Sequence, residues 1–250
     1  MKFTGKRVVV TGAAGIFGSW IATAFAKAGA TLCLSDVRRD RLDALPAKLG
    51  ANPATTLLHA TELRDEASIK ALAALVEEKW GAPDILVNNA GLYPRTGILL
   101  DLDVAEWDRM MDVNVRAPFL VTRAMARLMI AKGVHGAIVN IGSGASRKMR
   151  IGSVPYCTSK MALERLTKGQ ALELAPHRIR VNVVEPGFAP GSEVSPLPDE
   201  YVAMMKARIP LGHTSGPEDT PGAVLFLCSD GASFITGAVL AVDGGNSIAG

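Results

Sequence analysis

Residues 7–18 read RVVVTGAAGIFG: an apolar run, a glycine turn and the opening of an amphipathic segment, in that order. A dinucleotide needs its pyrophosphate set against free backbone N–H groups at a helix amino terminus, and glycines, lacking a Cβ, let the backbone come close. Gly12, Gly15 and Gly18 can serve this, and Ile16 and Phe17 fall within the same turn. A glycine turn alone also makes ordinary strand-to-helix connections, so the next apolar run decides. It reads TLCLSD and ends on Asp36, 18 positions after Gly18. That is near the spacing at which an acidic side chain meets the adenosine ribose hydroxyls. The two signals together point to dinucleotide binding.

Working outward, strand-like runs recur at 7–11, 31–35, 56–59, 85–88, 137–141, 180–184 and 239–242. Amphipathic stretches at 16–28, 66–80, 104–132, 156–174 and 220–228 separate most of them, each long enough to cross over a sheet. Strands of near-continuous Val, Ile and Leu are those buried on both faces, so the pattern predicts an α/β fold with a parallel sheet between two helical layers. No repeat or Gly/Ser/Pro linker divides the 250 residues, which predicts one domain. The exception to regular patterning is 185–217, rich in Pro, Gly and Ser around a short helical stretch at 199–208. Long irregular segments in compact domains are usually functional, and 188–216 is read as a substrate lid.

Composition narrows the function. Hydrophobic residues make up 48% and charged residues 20%, as in globular proteins and unlike disordered ones. The net charge of +3 arises from 27 basic and 24 acidic residues without a basic block, and aromatics are only 5%, which argues against a nucleic-acid surface. Cys33, Cys157 and Cys228 are odd in number and lack metal-ligand spacing, so no metal site and a reducing compartment are expected. The chain opens MKFTGKRVVVTG without a signal-like apolar region, and no apolar run reaches bilayer length. The expectation is a soluble cytoplasmic protein without a membrane partner.

Tyr156 and Lys160, in YCTSK, stand four apart in a helical pattern and therefore share a helix face. Spacing alone does not distinguish them from surface decoration. Their company does: TGAAGIFG at 11–18, NNAG at 88–91, DVNV around Asn114, IGS ending at Ser143, YCTSK, RVNVVEPG at 180–187 and FITGAVLAVDGG at 234–245. Through these seven ordered motifs the chain resembles the short-chain dehydrogenase/reductase family, in its single-domain branch of about this length. The resemblance implies a Rossmann-like, doubly wound, seven-stranded parallel sheet. It also implies an NAD(P)-dependent oxidoreductase that interconverts a secondary alcohol and a ketone.

The same resemblance implies site residues. Asn114, Ser143, Tyr156 and Lys160 form the catalytic tetrad, Ser143 lying thirteen positions before Tyr156. Tyr156 is the general acid/base, Ser143 orients the substrate oxygen, Asn114 holds a proton-relay water, and Lys160 lowers the tyrosine pKa and bonds the nicotinamide ribose. Tyrosine requires such help. Its ordinary pKa of about 10 must fall by roughly 3 units, or about 4 kcal/mol, of which a lysine cation some 5 Å away supplies about 3 kcal/mol at an effective dielectric near 20.

Asn88 to Gly91, with Asn89 and Ala90, is expected to line the adenosine ribose. Glu62 and Leu63 stand where the family meets adenine, and Pro186-Gly187 is expected beside the nicotinamide. Asp36 favours NAD over NADP because a 2′-phosphate would face like charge, whereas Arg38 and Arg39 could neutralise one. A homo-oligomer, specifically a tetramer pairing the helices of 104–132 and 156–174, is implied as well.

Two features depart from the branch. Its glycines usually occupy the first, fifth and seventh positions, whereas Gly12, Gly15 and Gly18 are first, fourth and seventh, as in nucleotide-sugar epimerases and dehydratases. Those enzymes carry a further carboxy-terminal domain, for which this length leaves no room. Gly191 stands where a carboxamide-binding threonine is common, with Ser192 as a substitute. A non-catalytic dinucleotide-binding protein is the other alternative, and the complete tetrad weighs against it. The inferred pocket walls, 92–96, 145–155 and 185–217, are mainly apolar apart from Arg95 and the basic stretch from Arg147 to Arg150, which points to an uncharged ketone or alcohol.

Overall fold

The computed structural model describes residues 1–52, 55–93, 96–191 and 196–249. Seven strands, β1 (Arg7–Thr11), β2 (Thr31–Asp36), β3 (Leu57–Ala60), β4 (Ile85–Asn88), β5 (Ala137–Ile141), β6 (Arg180–Pro186) and β7 (Val239–Val242), form one sheet in the order β3-β2-β1-β4-β5-β6-β7. Every pairing is parallel. Eight α-helices are described: α1 (Ile16–Lys27), α2 (Arg39–Leu49), α3 (Glu66–Trp80), α4 (Val104–Met111), α5 (Ala117–Ala131), α6 (Val154–Leu174), α7 (Asp199–Lys206) and α8 (Asp219–Cys228).

Alternation along the central strands divides the core in two. Val8 and Val10 of β1 pack with Ile21 and Phe25 of α1, Leu42 of α2 and Val224 of α8. Val9 points the other way, to Ile69 and Leu72 of α3 and Met125 and Met129 of α5. Each Val, Leu or Ile fully removed from water contributes roughly 1.5–3 kcal/mol, so both layers are needed to hold the sheet. Strand order reverses between β1 and β4. In doubly wound sheets the crevice at the carboxyl ends of the strands, at that switch point, is where ligands bind.

Three elements differ from the sequence expectation. The helix α2 went unread because Pro46 lies inside it; proline forfeits one backbone bond there, close to the carboxyl end where Gly50 caps the helix at φ 63°. The third strand runs one residue later, as Leu57–Ala60, and as an edge strand it is only partly buried. The long helix expected over 104–132 is α4 and α5 joined by a π turn at Asp112–Arg116. Such turns recur at functional sites because the extra residue re-aims a side chain.

The three cysteines are unpaired and buried. Among the described residues no helix is long and apolar enough to cross a membrane.

Candidate active site

β1 delivers the chain to Gly12 in the left-handed region at φ 61°, and α1 starts at Ile16. A Cβ on Gly12 would stand 2.7 Å from Ala90 Cα, and one on Gly18 only 2.1 Å from the Gly12 carbonyl oxygen, so no side chain fits at either position. The loop after β4 closes on this turn. Asn89 and Ala90 donate their N–H groups to Thr11 Oγ1 at 3.1 and 3.2 Å, and Asn89 Nδ2 donates to the carbonyls of Thr11 and Gly12 at 3.0 and 2.9 Å. Gly15, the residue preceding α1, has an ordinary φ of −78°. A Cβ there would lie 3.3 Å from the Gly12 oxygen, a tight contact rather than a collision. The first turn of α1 carries no acidic residue and its amino terminus has no side-chain cap, leaving its positive end uncompensated. The unusual glycine spacing therefore still gives a tight, side-chain-free turn ahead of an uncapped helix amino terminus.

Asp36 closes one side of this turn. Its Oδ2 accepts the Ala14 N–H at 3.0 Å and Oδ1 the Arg38 N–H at 3.1 Å, which holds the carboxylate in place. The guanidinium groups of Arg38 and Arg39 pair with Asp40 at 3.5 Å and Asp43 at 2.8 Å. Glu62 is engaged as well: Oε1 accepts from Arg64 N and Nε at 3.0 and 3.1 Å, and Oε2 from Nη2 at 3.2 Å. That pairing holds its pKa below the usual carboxylate range, against a smaller opposing effect of burial. Leu63 buries its side chain in the α3/α5 layer, so a ligand would meet its main chain.

At the carboxyl end of β5, Ser143 precedes a turn in which its Oγ accepts the Ala145 N–H at 3.2 Å. Tyr156 lies in the first turn of α6 and Lys160 one turn later, both facing the sheet. Lys160 Nζ donates to the Ile141 carbonyl at 3.0 Å and stands 5.8 Å from the centre of the Tyr156 ring. Burial pushes the tyrosine up to about 12, with the Ser143 hydrogen bond pulling it down by less. Burial pushes Lys160 down to about 8, against the attraction of Glu185. The sequence argument had Lys160 lowering Tyr156. In the ligand-free site desolvation wins, because both groups are withdrawn from water and the ammonium is bound to a carbonyl rather than to the phenol oxygen.

Asn114 projects from the π turn. Its Oδ1 accepts the Leu92 N–H at 2.8 Å, while Nδ2 donates to the Leu92 carbonyl and to Ser159 Oγ, both at 3.0 Å. With its side chain thus occupied, Asn114 ties the loop after β4 to α6, between Tyr156 and Lys160. A Cβ on Gly91 would lie 3.5 Å from both Asn114 Oδ1 and Lys160 Nζ. Asn88, by contrast, serves the interior: Nδ2 donates to Thr122 Oγ1 at 2.9 Å and Asn140 Oδ1 at 2.8 Å. Gly187 donates to the Val242 carbonyl at 2.7 Å, and a Cβ there would lie 2.8 Å from Asp243 Cα, so the Pro186-Gly187 turn is wedged against the end of β7.

Around this group Tyr93, 57% exposed, packs its ring 4.4 Å from that of Tyr156. Thr96 donates from both N and Oγ1 to the Gly152 carbonyl, at 3.2 and 3.0 Å, joining two of the expected pocket walls. Met149 and Ile151 are exposed there, whereas Met205 of α7 is buried. Of the basic stretch, Arg147 pairs with Glu185, and Lys148 donates to the carbonyls of Asn246 and Ala249. A cavity of about 340 Å³, lined by Gly187, Phe188, Ile209, Asp219 and Gly244 among others, reaches the Pro186-Gly187 turn but includes none of the tetrad. Arg95 and Ser192 lie outside the described residues. The sequence reading missed Thr11, Tyr93 as a ring partner of Tyr156, and Glu185, whose signal was a lone acid in the apolar strand RVNVVEP.

The sequence model of the family described as enoyl-(acyl carrier protein) reductase matches residues 12–247. The 3-oxoacyl-[acyl-carrier-protein] reductase of Thermotoga maritima is 36% identical over 245 residues, covering 98% of this chain and 99% of that protein. A short-chain type dehydrogenase/reductase from Mycobacterium marinum superposes with a TM-score of 0.91 at 34% identity, over 98% of this chain and 96% of that one. The 3-ketoacyl-(acyl-carrier-protein) reductase of Brucella melitensis, solved with NADH, gives a TM-score of 0.87 at 32% identity, over 98% of this chain and all of that one (100%). With a family match over nearly its whole length and a glycine cradle beside a Ser-Tyr-Lys group, the chain belongs to the short-chain dehydrogenase/reductase family of oxidoreductases.

Proposed function

We propose that the protein is an NAD-dependent enzyme interconverting a secondary alcohol and a ketone, with Tyr156 as its general acid/base. The observation that carries this reading is the Tyr156 ring set one helical turn and 5.8 Å from the buried ammonium of Lys160, with Ser143 lowering the phenol's pKa from the end of β5, beside the cradle of Gly12, Gly15 and Gly18. Bound nicotinamide supplies or takes the hydride. In reduction the Tyr156 hydroxyl gives its proton to the substrate oxygen, which Ser143 orients by hydrogen bonding. In oxidation the phenolate accepts that proton, and Lys160 supports the charge. Asn114 positions the helix that carries both groups.

The adenosine half belongs against Asp36, Glu62, the Leu63 main chain and the 89–91 loop, with Ile16, Phe17 and Gly18 under the pyrophosphate. Pro186-Gly187 belongs beside the nicotinamide. One catalytic domain with a lid around 188–216, of which 192–195 lie outside the described residues, is the organisation this assigns. Tyr93, Met149 and Ile151 give the entrance an apolar rim, and Arg147 and Lys148 are tied back into the protein. This favours an uncharged, fairly apolar substrate. The test is a panel of ketones and alcohols, simple and acyl-carrier-linked, read at the absorbance of reduced nicotinamide. Turnover of simple ketones is expected. Preference for the acyl-carrier, coenzyme A or sugar-nucleotide members would reject the substrate assignment, and no turnover at all would favour a dinucleotide-binding protein without catalysis.

The exposed apolar side chains Phe119 and Ile130 of α5 and Met161 and Leu172 of α6 suit a helix-pairing contact between copies of the chain, in a homotetramer. Sedimentation at micromolar concentration is expected to give an assembly of four chains; a monomer alone would refute it.

A further inference from the structure

Beneath the Ser143 turn lies a second carboxyl-bearing group that the reaction scheme does not use. Glu185, the penultimate residue of β6, is fully buried at 0% exposure, in a strand otherwise apolar from Val183 to Pro186. Such a charge is costly to bury unless it is paired. Ser146 Oγ donates to its Oε1 at 2.8 Å, and Arg147 Nη2 lies 2.5 Å from Oε2, too poorly aligned for a hydrogen bond. Both partners sit in the turn that Ser143 opens. A Cβ on Gly142, immediately before Ser143, would meet Glu185 Cγ at 3.2 Å. From α6, the Glu164 carboxyl repels the same group and raises its pKa, while the charge of Glu185 in turn raises that of the Lys160 ammonium. Glu164 and Lys160 are four residues apart and so share the helix face turned toward it.

We propose that Glu185 is a positioning residue of this active site: it clamps the 143–147 turn through Ser146 and Arg147, and supplies the negative charge facing Lys160. The groups around it, Arg147 and Ser146 from the turn and Glu164 and Lys160 from α6, fix the sign of its effect. Burial, together with the neighbouring Glu164 carboxyl, raises Glu185 to about 7 despite Ser146 and Arg147. Above that pH the carboxylate is present, and Lys160, pushed down to about 8, is then held protonated by it. This assignment rests on the proposed reaction only for its catalytic consequence; the lysine titration stands apart from it.

The test compares wild type with Glu185→Gln, which keeps the shape and a bond to Ser146 but removes the charge. Protein carrying ¹³C-lysine, with the Lys160 signal assigned through Lys160→Arg, is titrated by the Cε shift without cofactor or substrate. The Lys160 midpoint is expected to fall by about one unit in Glu185→Gln. The alkaline limb of kcat/KM is expected to move down by the same amount. Glu185→Asp, which retains the charge but shortens the reach to Ser146, is expected to keep the wild-type midpoint while losing several-fold in kcat. An unchanged lysine midpoint in Glu185→Gln overturns the proposal. Where that variant does not fold, a midpoint in Glu185→Asp that drops by a unit overturns it instead. A wild type with no turnover defeats the functional reading alone, since the lysine titration still decides this one.

Discussion

Tyr156→Phe is expected to lower kcat at least 100-fold while changing cofactor affinity no more than a few-fold. The substitution keeps the ring and its packing against Tyr93, 4.4 Å away, and removes only the hydroxyl. General acid–base catalysis typically contributes 10²–10⁴-fold, about 3–5 kcal/mol of barrier, and no neighbouring group can substitute. Lys160 Nζ is anchored to the Ile141 carbonyl, and Asn114 to Leu92 and Ser159. With the phenol pushed up to about 12, the proton is held firmly in the ligand-free site. That state is ready to donate in ketone reduction, whereas oxidation has to draw the proton off first. The wild-type rate of alcohol oxidation is therefore expected to rise with pH more steeply than that of ketone reduction. Single-turnover rates and equilibrium cofactor titration separate the two effects; a variant retaining more than about a tenth of wild-type kcat would remove Tyr156 from its role.

The readable parts of this chain were those where one physical demand fixes the residue type. Strands buried on both faces are mainly apolar, so β1, β4 and β5 were legible to the residue. A glycine at φ 61° under a neighbouring backbone, as at Gly12, leaves an equally direct mark. Other features depend on partners distant in sequence. Leu42, Leu45 and Leu49 carry the helical spacing of α2, but Pro46 and the charged residues among them hid it. Asn114 was legible as a motif residue, yet the π turn that carries it and its grip on Leu92 come from packing of α4, α5 and α6. Glu185 was passed over as one letter in a strand because its partners Ser146 and Glu164 lie 39 and 21 positions away (185 minus 146, 185 minus 164). The raised pKa of Tyr156 in the ligand-free site was hidden for a related reason: residue identity gives the sign of a charge but not the desolvation around it, which here is the larger effect.

NAD(H) is expected to be preferred over NADP(H) by roughly 10- to 100-fold in kcat/KM, and the preference is expected to shrink to near parity in Asp36→Asn. Two unit charges about 4 Å apart at an effective dielectric near 20 repel by roughly 4 kcal/mol, which screening and rearrangement reduce. Asp36 has little freedom to move aside, since the N–H groups of Ala14 and Arg38 hold its two oxygens at 3.0 and 3.1 Å. The competing influence is the arginine pair. Arg38 and Arg39 are engaged with Asp40 and Asp43, but these ion pairs are solvent-exposed and worth about 1 kcal/mol or less, so either guanidinium can be released toward a phosphate. Such a rescue would recover part of the repulsion, which is why the expected ratio falls below the bare Coulomb figure. Asp36→Asn is the better probe than alanine because an amide oxygen can still accept the Ala14 N–H, leaving the cradle intact while the charge is gone. The measurement is kcat/KM with both cofactors on wild type, Asp36→Asn and Arg38→Ala. A wild type that prefers NADP(H), with that preference lost in Arg38→Ala, would show that the arginine and not the aspartate sets the choice.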